Sequence, residues 1–160
     1  MQIQIVPGYS FPEEIRQLFT EYTAHLTEGD PQFRDYLRIQ NYDAEIAHLE
    51  AKYGHPNGRL YLALANGKSA GCIALRKLND SQCEMKRLYV RPEYRSLGIG
   101  KRLTAQILDD ARSMGYRQIL LDTFPFLDRA MGMYRRLGFQ ETDKYNDSPM
   151  ASTVYLKMDL

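Results

Sequence analysis

The feature that most constrains this chain is a junction between residues 82 and 115, where a strand runs through a short loop into a helix. Gln82 to Arg91 reads as a strand ended by Pro92. From Gly98 the period changes to 3.6, with Ile99, Leu103, Ile107, Ala111 and Met114 on one face and Gly115 placed as a C-cap. The helix therefore opens at Gly98 and Gly100, a cluster of free backbone N–H groups at the positive end of its dipole. Such a cluster is an anion site. Glycine at 98 and 100 lets a phosphate approach without a Cβ in the way, and Arg95 with Lys101 or Arg102 can add charge-assisted bonds.

The flanking segments build a mixed α/β chain around that junction. Gln2 to Val6 is a short strand, ended by Pro7 and Gly8. Ser10 with Glu13 forms a capping box, and Ile15, Leu18, Phe19, Tyr22 and Leu26 outline an amphipathic helix. Residues 27 to 41 are polar and without a decisive period, and a second helix is expected from about Tyr42 to Lys52. A meander follows: Arg59 to Ala65, the hairpin turn Asn66-Gly67, then Lys68 to Lys77 and, after Asn79-Asp80, the strand of the junction. In the hairpin this predicts, Cys83 lies opposite Arg76 and Cys72 near Arg87, too far apart for a disulfide. Gln118 to Thr123 reads as a buried strand. Leu127, Ala130, Met131, Tyr134 and Leu137 mark another helix closed by Gly138, and strands at about Phe139 to Lys144 and Thr153 to Asp159 end the chain. The order is β-α-β-β-β-α-β-α-β-β. No repeat, linker or low-complexity stretch divides it, so residues 1–160 are read as a single domain.

Charge narrows the ligand. Lys+Arg number 21 and Asp+Glu 20, yet residues 1–58 carry 4 basic and 9 acidic side chains and residues 59–118 carry 12 and 5. A basic segment in a neutral chain suits a compact anion better than nucleic acid, which favours an overall basic domain with interleaved exposed aromatics. Cys72 and Cys83 make neither a disulfide framework nor a CxxC metal site, and His25, His48 and His55 lack metal-ligand spacing, so no metal is expected. The N-terminus does not read as a signal peptide and no stretch approaches a membrane span, so a cytoplasmic protein without membrane contact is the default expectation.

The phosphate ligand can be narrowed further by spacing. A dinucleotide fingerprint needs glycine at position 103, which is Leu103. A P-loop needs glycine at 95 and Ser or Thr at 102, which are Arg95 and Arg102. The run Arg95-Ser96-Leu97-Gly98-Ile99-Gly100 instead resembles motif A of the GNAT superfamily, the Gcn5-related N-acetyltransferases, with its pattern Arg/Gln-x-x-Gly-x-Gly/Ala. Leu88-Tyr89-Val90 matches the family's splayed strand, and Ala130 to Phe139 is similar to its Ala-x-x-x-Tyr-x-x-x-Gly-Phe signature. The resemblance points to a small, bacterial-type, single-domain member. It implies the GNAT fold: a central, mostly antiparallel twisted sheet, splayed at the cofactor site and flanked by helices.

It also implies acetyl-CoA as cosubstrate. The pyrophosphate would rest on the N–H groups from Leu97 to Arg102, supported by Arg95, and the pantetheine arm would pair with the backbone at Leu88 and Val90. The family often has Asn where this chain has Leu127, which removes a side-chain bond to pantetheine. An ammonium of pKa ~10.4 is neutral only about one part in 2,500 at pH 7, so a base is useful. By the resemblance Glu84 is that base, against an alternative in which it merely pairs with Lys86 or Arg87. Tyr134 is the acid toward the departing thiolate, against an alternative as a core tyrosine, and the Leu88 N–H could polarise the acetyl carbonyl. Cys83 reads as a buried strand residue rather than an acetyl carrier.

The expected activity is direct N-acetyl transfer to a primary amine of a small molecule, amino acid or peptide. A non-catalytic acyl-CoA sensor is the competing class. In this fold residues 22–45 shape the acceptor site, where Tyr36 and Tyr42 are candidate lining residues and Glu21, Glu28, Asp30, Asp35, Asp43 and Glu45 favour a cationic amine. A homodimer is left open.

Overall fold

In the computed structural model of residues 1–160 a seven-stranded sheet runs through the molecule in the order β1-β2-β3-β4-β5-β7-β6. Its strands are β1 Ile3–Pro7, β2 Arg59–Ala65, β3 Lys68–Lys77, β4 Gln82–Val90, β5 Gln118–Thr123, β6 Gln140–Glu141 and β7 Val154–Asp159. All neighbours pair antiparallel except β4 and β5. The helices are α1 Pro12–Gly29, α2 Phe33–Ile39, α3 Tyr42–Ala47, α4 Leu49–Tyr53, α5 Ile99–Ser113 and α6 Asp128–Leu137. This is the mixed α/β order read from the sequence. No helix is long and apolar enough to cross a membrane.

The period-2 alternation of the strands decides which helices cover which face. Leu60 and Leu62 of β2 and Cys72 and Ala74 of β3 pack with Ile15, Leu18 and Phe19 of α1 and Leu49 and Tyr53 of α4. The alternate residues Ala63, Ala65, Ile73 and Leu75 pack with Ile99, Leu103, Ile107 and Ala111 of α5, the helical stripe expected from the sequence. A smaller cluster of Leu26, Phe33, Tyr36, Phe124 and Met150 ties α2 to the ends of α1 and β5.

Four local expectations are corrected. The capping box does not form: Gly8–Ser10 is a short 3-10 turn, α1 begins at Pro12 with no side-chain cap, and Glu13 binds Arg16 at 2.6 Å. Proline at N1 presets the helical φ and fixes the start one residue later, with Phe11 at the N-cap. The helix expected over 42–52 is two, separated at His48, whose φ of −137° and ψ of 71° leave the helical region. The β3–β4 register is shifted by one, with Arg76 opposite Glu84 and Lys77 opposite Cys83. Asn79 Oδ1 accepts from the N–H groups of Ser81 and Gln82, so the side chain organises a longer loop than a two-residue turn. Finally, β6 is only Gln140–Glu141, and the last bond to β7 is from Thr142 N–H to Tyr155 O at 2.9 Å, after which the chain leaves the sheet.

Two features of β4 create the site. Its parallel pairing with β5 spans only Gln82–Glu84 against Gln118–Leu120, so beyond Glu84 the two strands part. A bulge also adds a residue: Ala74 pairs with Lys86 and Cys72 with Tyr89, and Arg87 sits at φ 61°. The side-chain parity inverts across it. Cys83 and Met85 face α5 before the bulge, and Leu88 and Val90 face it afterwards. Lys86 and Arg87 consequently fall on one face, the side of α2 to α4, although they are consecutive in a strand.

Candidate active site

The parted strands border two cavities that meet. The larger, about 590 Å³, is a cleft walled by the end of β4, the loop to α5 with its first turn, and the start of α6. Of the expected cofactor residues, Leu88, Val90, Arg95, Ser96, Gly98, Ile99 and Gly100 line it; Leu97, Lys101 and Arg102 stand outside its wall with exposed side chains. The smaller cavity, about 40 Å³, lies between β4 and β5 beneath α1 and α2. Tyr22, Leu88, Leu127 and Ala130 line both, which makes them the shared opening.

The cleft has the groups a pyrophosphate needs. Backbone N–H groups from Ser96 to Lys101 find no backbone acceptor; the first to do so is Arg102, bonded to Gly98 O at 3.1 Å. Ser96 at φ 73° and Gly98 at φ 76° turn the loop so that these donors converge. A Cβ at Gly100 would lie 3.8 Å from Val90 Cγ2, an ordinary contact, so the fold does not need glycine there. The missing Cβ leaves room at the helix start. Arg95 is held against the strand by its Nε, which donates to Val90 O at 3.1 Å and leaves its two terminal nitrogens for an anion. Arg102 donates one guanidinium bond to Ile3 O at 3.1 Å.

Strand geometry assigns the β4 edge. Arg91 N–H donates to Ala70 O of the β3 side, so by antiparallel alternation the polar groups of Val90 point away from β3, toward the opening left by β5. Leu88, two residues before, points the same way. Extended main chain can pair there. Leu127 lines both cavities and caps α6 without a side-chain hydrogen bond, so position 127 offers only apolar contact.

The expected catalytic pair is not gathered in one place. Tyr134 lines the small cavity; its ring packs edge-on against Phe139, and burial pushes its phenol well above 10. Its hydroxyl makes no hydrogen bond within the protein. Glu84 lines neither cavity. It is 1% exposed, receives Arg76 Nε at 2.6 Å and the Tyr145 hydroxyl at 2.5 Å, and has Lys86 Nζ at 3.9 Å. Burial alone would raise its pKa, but Lys86 and Arg76 hold it below the ordinary carboxylate value. The ion-pair alternative thus describes its surroundings, with Arg76 in place of Arg87, whose partner is Glu45.

Residues not singled out for chemistry form the polar wall of the small cavity. Lys86 Nζ and Arg87 Nη2 donate to the same oxygen, Gln40 Oε1, at 2.8 and 2.9 Å. Opposite them Asp122 of β5 accepts from the Tyr36 hydroxyl and, at 2.8 Å, from Asn146, both on Oδ2. Of the two tyrosines considered for the acceptor side, Tyr36 lines this cavity, joined by Tyr22 of α1, whereas Tyr42 lies under the Arg87 guanidinium at 5.3 Å. None of the six acids of residues 21–45 reaches the cavity wall. Glu21 pairs with Arg91, Asp35 with Arg38, and Glu45 with Arg87 and Lys52. His25 stands exposed at the rim of the cleft. Cys83 is buried, and burial pushes its thiol up to about 12. No group of His, Cys, Asp and Glu is placed to hold a metal ion.

Comparisons agree with this architecture. An uncharacterised N-acetyltransferase of Schizosaccharomyces pombe is 37% identical over 126 residues, covering 78% of this chain and 77% of its own. An acetyltransferase of the GNAT family from Staphylococcus aureus Mu50 superposes with a TM-score of 0.77 at 21% identity, over 99% of both chains. The PaiA N-acetyltransferase of Thermoplasma acidophilum, solved in complex with coenzyme A, does so with 0.76 at 19% identity over the full length of both. The profile described as the acetyltransferase (GNAT) family matches residues 13–139, and with the splayed β4, the glycine turn and the sheet order already in place, the chain belongs to that family.

Proposed function

We propose that this chain moves an acetyl group from acetyl-CoA to the primary amine of a small molecule by direct transfer. The observation that carries this reading is the shared opening: a cleft with phosphate-binding donors at one end meets a small polar cavity at Tyr22, Leu88, Leu127 and Ala130. A thioester carbonyl held against β4 would face an amine held between β4 and β5. About 40 Å³ accommodates roughly three waters at ~10–15 Å³ each, which favours a small acceptor over a peptide segment.

In this reading the N–H groups from Ser96 to Lys101 hold the pyrophosphate, with Arg95 beside them and the Lys101 and Arg102 side chains adding positive charge outside the cleft wall. Leu88 and Val90 offer main-chain pairing to pantetheine, and the Leu88 N–H stabilises charge that develops on the acetyl oxygen. Val90 contributes its N–H, because its carbonyl already accepts from Arg95. Tyr134 donates to the sulfur as the C–S bond breaks. Burial keeps this phenol protonated, which is the form required.

The proton released by the attacking nitrogen passes to Asp122. This carboxylate lines the cavity, and both its hydrogen bonds fall on Oδ2, leaving Oδ1 for the amine. Glu84, the base expected from the resemblance, here acts on position alone: it anchors Lys86, Arg76 and Tyr145 behind the cavity.

The test is CoA release from acetyl-CoA across a panel of small primary amines, with the acetylated product identified by mass. Turnover that requires both substrates is expected. Tight acetyl-CoA binding with no turnover on any amine would contradict catalysis and point to a sensor.

A further inference from the structure

We infer that the acceptor carries a carboxylate as well as its amine, and that Lys86, Arg87 and Gln40 bind that carboxylate. The inference rests on the acceptor cavity of the proposed function and deepens it. Four cations meet behind this wall and share two carboxylates: Glu45 serves Arg87 and Lys52, and Glu84 serves Arg76 and Lys86. Positive charge is left over. The two cations that line the cavity are almost fully enclosed, the Lys86 side chain at 5% and that of Arg87 at 3% exposure, so water screens them little.

The bulge makes this arrangement. Without the extra residue at Arg87, strand alternation would send its guanidinium to the α5 face, away from Lys86. Gln40 supplies a second, independent sign. Its Oε1 accepts from both cations, which fixes the orientation of the amide and leaves Nε2 buried without a partner. A buried donor without an acceptor is costly, and an anion at this wall would satisfy it.

The opposite wall has the complementary charge. Asp122 is partnered only by neutral donors, Tyr36 and Asn146, so its negative charge is not consumed within the protein. A cavity with surplus positive charge on β4 and surplus negative charge on β5 fits a small amino acid, carboxylate toward Lys86 and amine toward Asp122. The acidic count of residues 21–45 does not bear on the choice, since those acids do not line the cavity.

The experiment compares glycine, alanine and β-alanine with their amides and with methylamine, ethylamine and propylamine. Binding is first read by saturation-transfer NMR on the protein, and kcat/KM is then read with acetyl-CoA. The amino acids are expected to bind and to react at least about tenfold better, the scale of one charge-assisted hydrogen bond. Gln40→Glu supplies a third carboxylate to the same cations and is expected to abolish that advantage. Lys86→Met should reduce it. Equal or better binding and turnover of the uncharged analogues, or an advantage that survives Gln40→Glu, would overturn the inference. Carboxylate binding without any acetyl-CoA binding would uphold the carboxylate site and contradict the proposed function, so the two failures are distinguishable.

Discussion

Arg87 and Glu45 meet in a two-pronged ion pair, Nε to Oε2 at 2.9 Å and Nη2 to Oε1 at 3.0 Å, with both side chains nearly inaccessible. This pair joins the β4 bulge to α3 and so sets the wall of the small cavity. Removing one partner strands the other charge. Glu45→Ala is expected to cost about 3–5 kcal/mol of stability, read by denaturant unfolding. A loss below about 1 kcal/mol would show that the pair does not hold the bulge.

The same carboxylate gives a pH dependence with a definite sign. Burial alone would raise the Glu45 pKa, but Arg87 and Lys52 more than offset it and hold it at about 2, against an ordinary 4.5. A depressed folded-state pKa stabilises the protein above the unfolded value, and that contribution is lost as pH falls through the folded one. Between about pH 4.5 and pH 2, roughly 3 kcal/mol of stability should disappear with Glu45 present. The fall should be correspondingly shallower in Glu45→Gln.

Gly98 and Gly100 separate folding from ligand binding. The motif admits alanine at position 100, so a longer side chain is the test there: a Cβ meets only an ordinary contact, and Gly100→Leu should leave the melting temperature little changed while acetyl-CoA affinity falls at least about tenfold. Gly98→Ala must hold φ near 76° and should lose about 1–2 kcal/mol of stability as well. Calorimetric titration with parallel thermal unfolding reads both. Full affinity in Gly100→Leu would remove the close phosphate approach from the account.

In the proposed reading, catalytic and positioning roles divide between Asp122 and Glu84. Asp122→Asn is expected to lower kcat by about a hundredfold or more with little change in acetyl-CoA affinity, the range for loss of a general base. Glu84→Gln leaves Arg76 and Lys86 without their shared carboxylate, so it should lower stability by about 2–4 kcal/mol yet change kcat by less than about tenfold. The opposite pattern would return the base to Glu84. Tyr134→Phe should reduce kcat by about 10²–10⁴, and the wild-type rate should show no alkaline loss from this phenol below pH 10, since burial raises its pKa.

What the sequence disclosed follows from how local each signal is. Asn66-Gly67, the α5 stripe from Ile99 to Ala111 and the glycine turn each rest on a few neighbouring residues, and each stands where expected. The extra helix α2 rests on tertiary packing, Phe33 and Tyr36 against Phe124 and Met150, and next to the break at His48 the Ile46 carbonyl accepts from Arg16 Nε at 2.9 Å, contacts that no local period encodes. The bulge was hidden for a like reason. A non-glycine residue at φ 61° has no composition signal, and Arg87 is held there by Glu45, 42 positions away. Inverting the alternation at Arg87 also puts Lys86 and Arg87 together on the polar cavity wall, which a regular strand period does not show, while Gln40 and Asp122 join them only through the tertiary fold. One hint was present: Lys86-Arg87, two adjacent charges inside a strand otherwise bound for the core.

Initial-velocity kinetics with acetyl-CoA and amine both varied, joined to intact-protein mass spectrometry, test direct transfer most closely. Intersecting lines, with the acetyl group found only on the amine, are expected, because Cys83 is buried with its thiol pushed up to about 12 and does not line either cavity. Parallel lines with an acetylated protein would contradict the account.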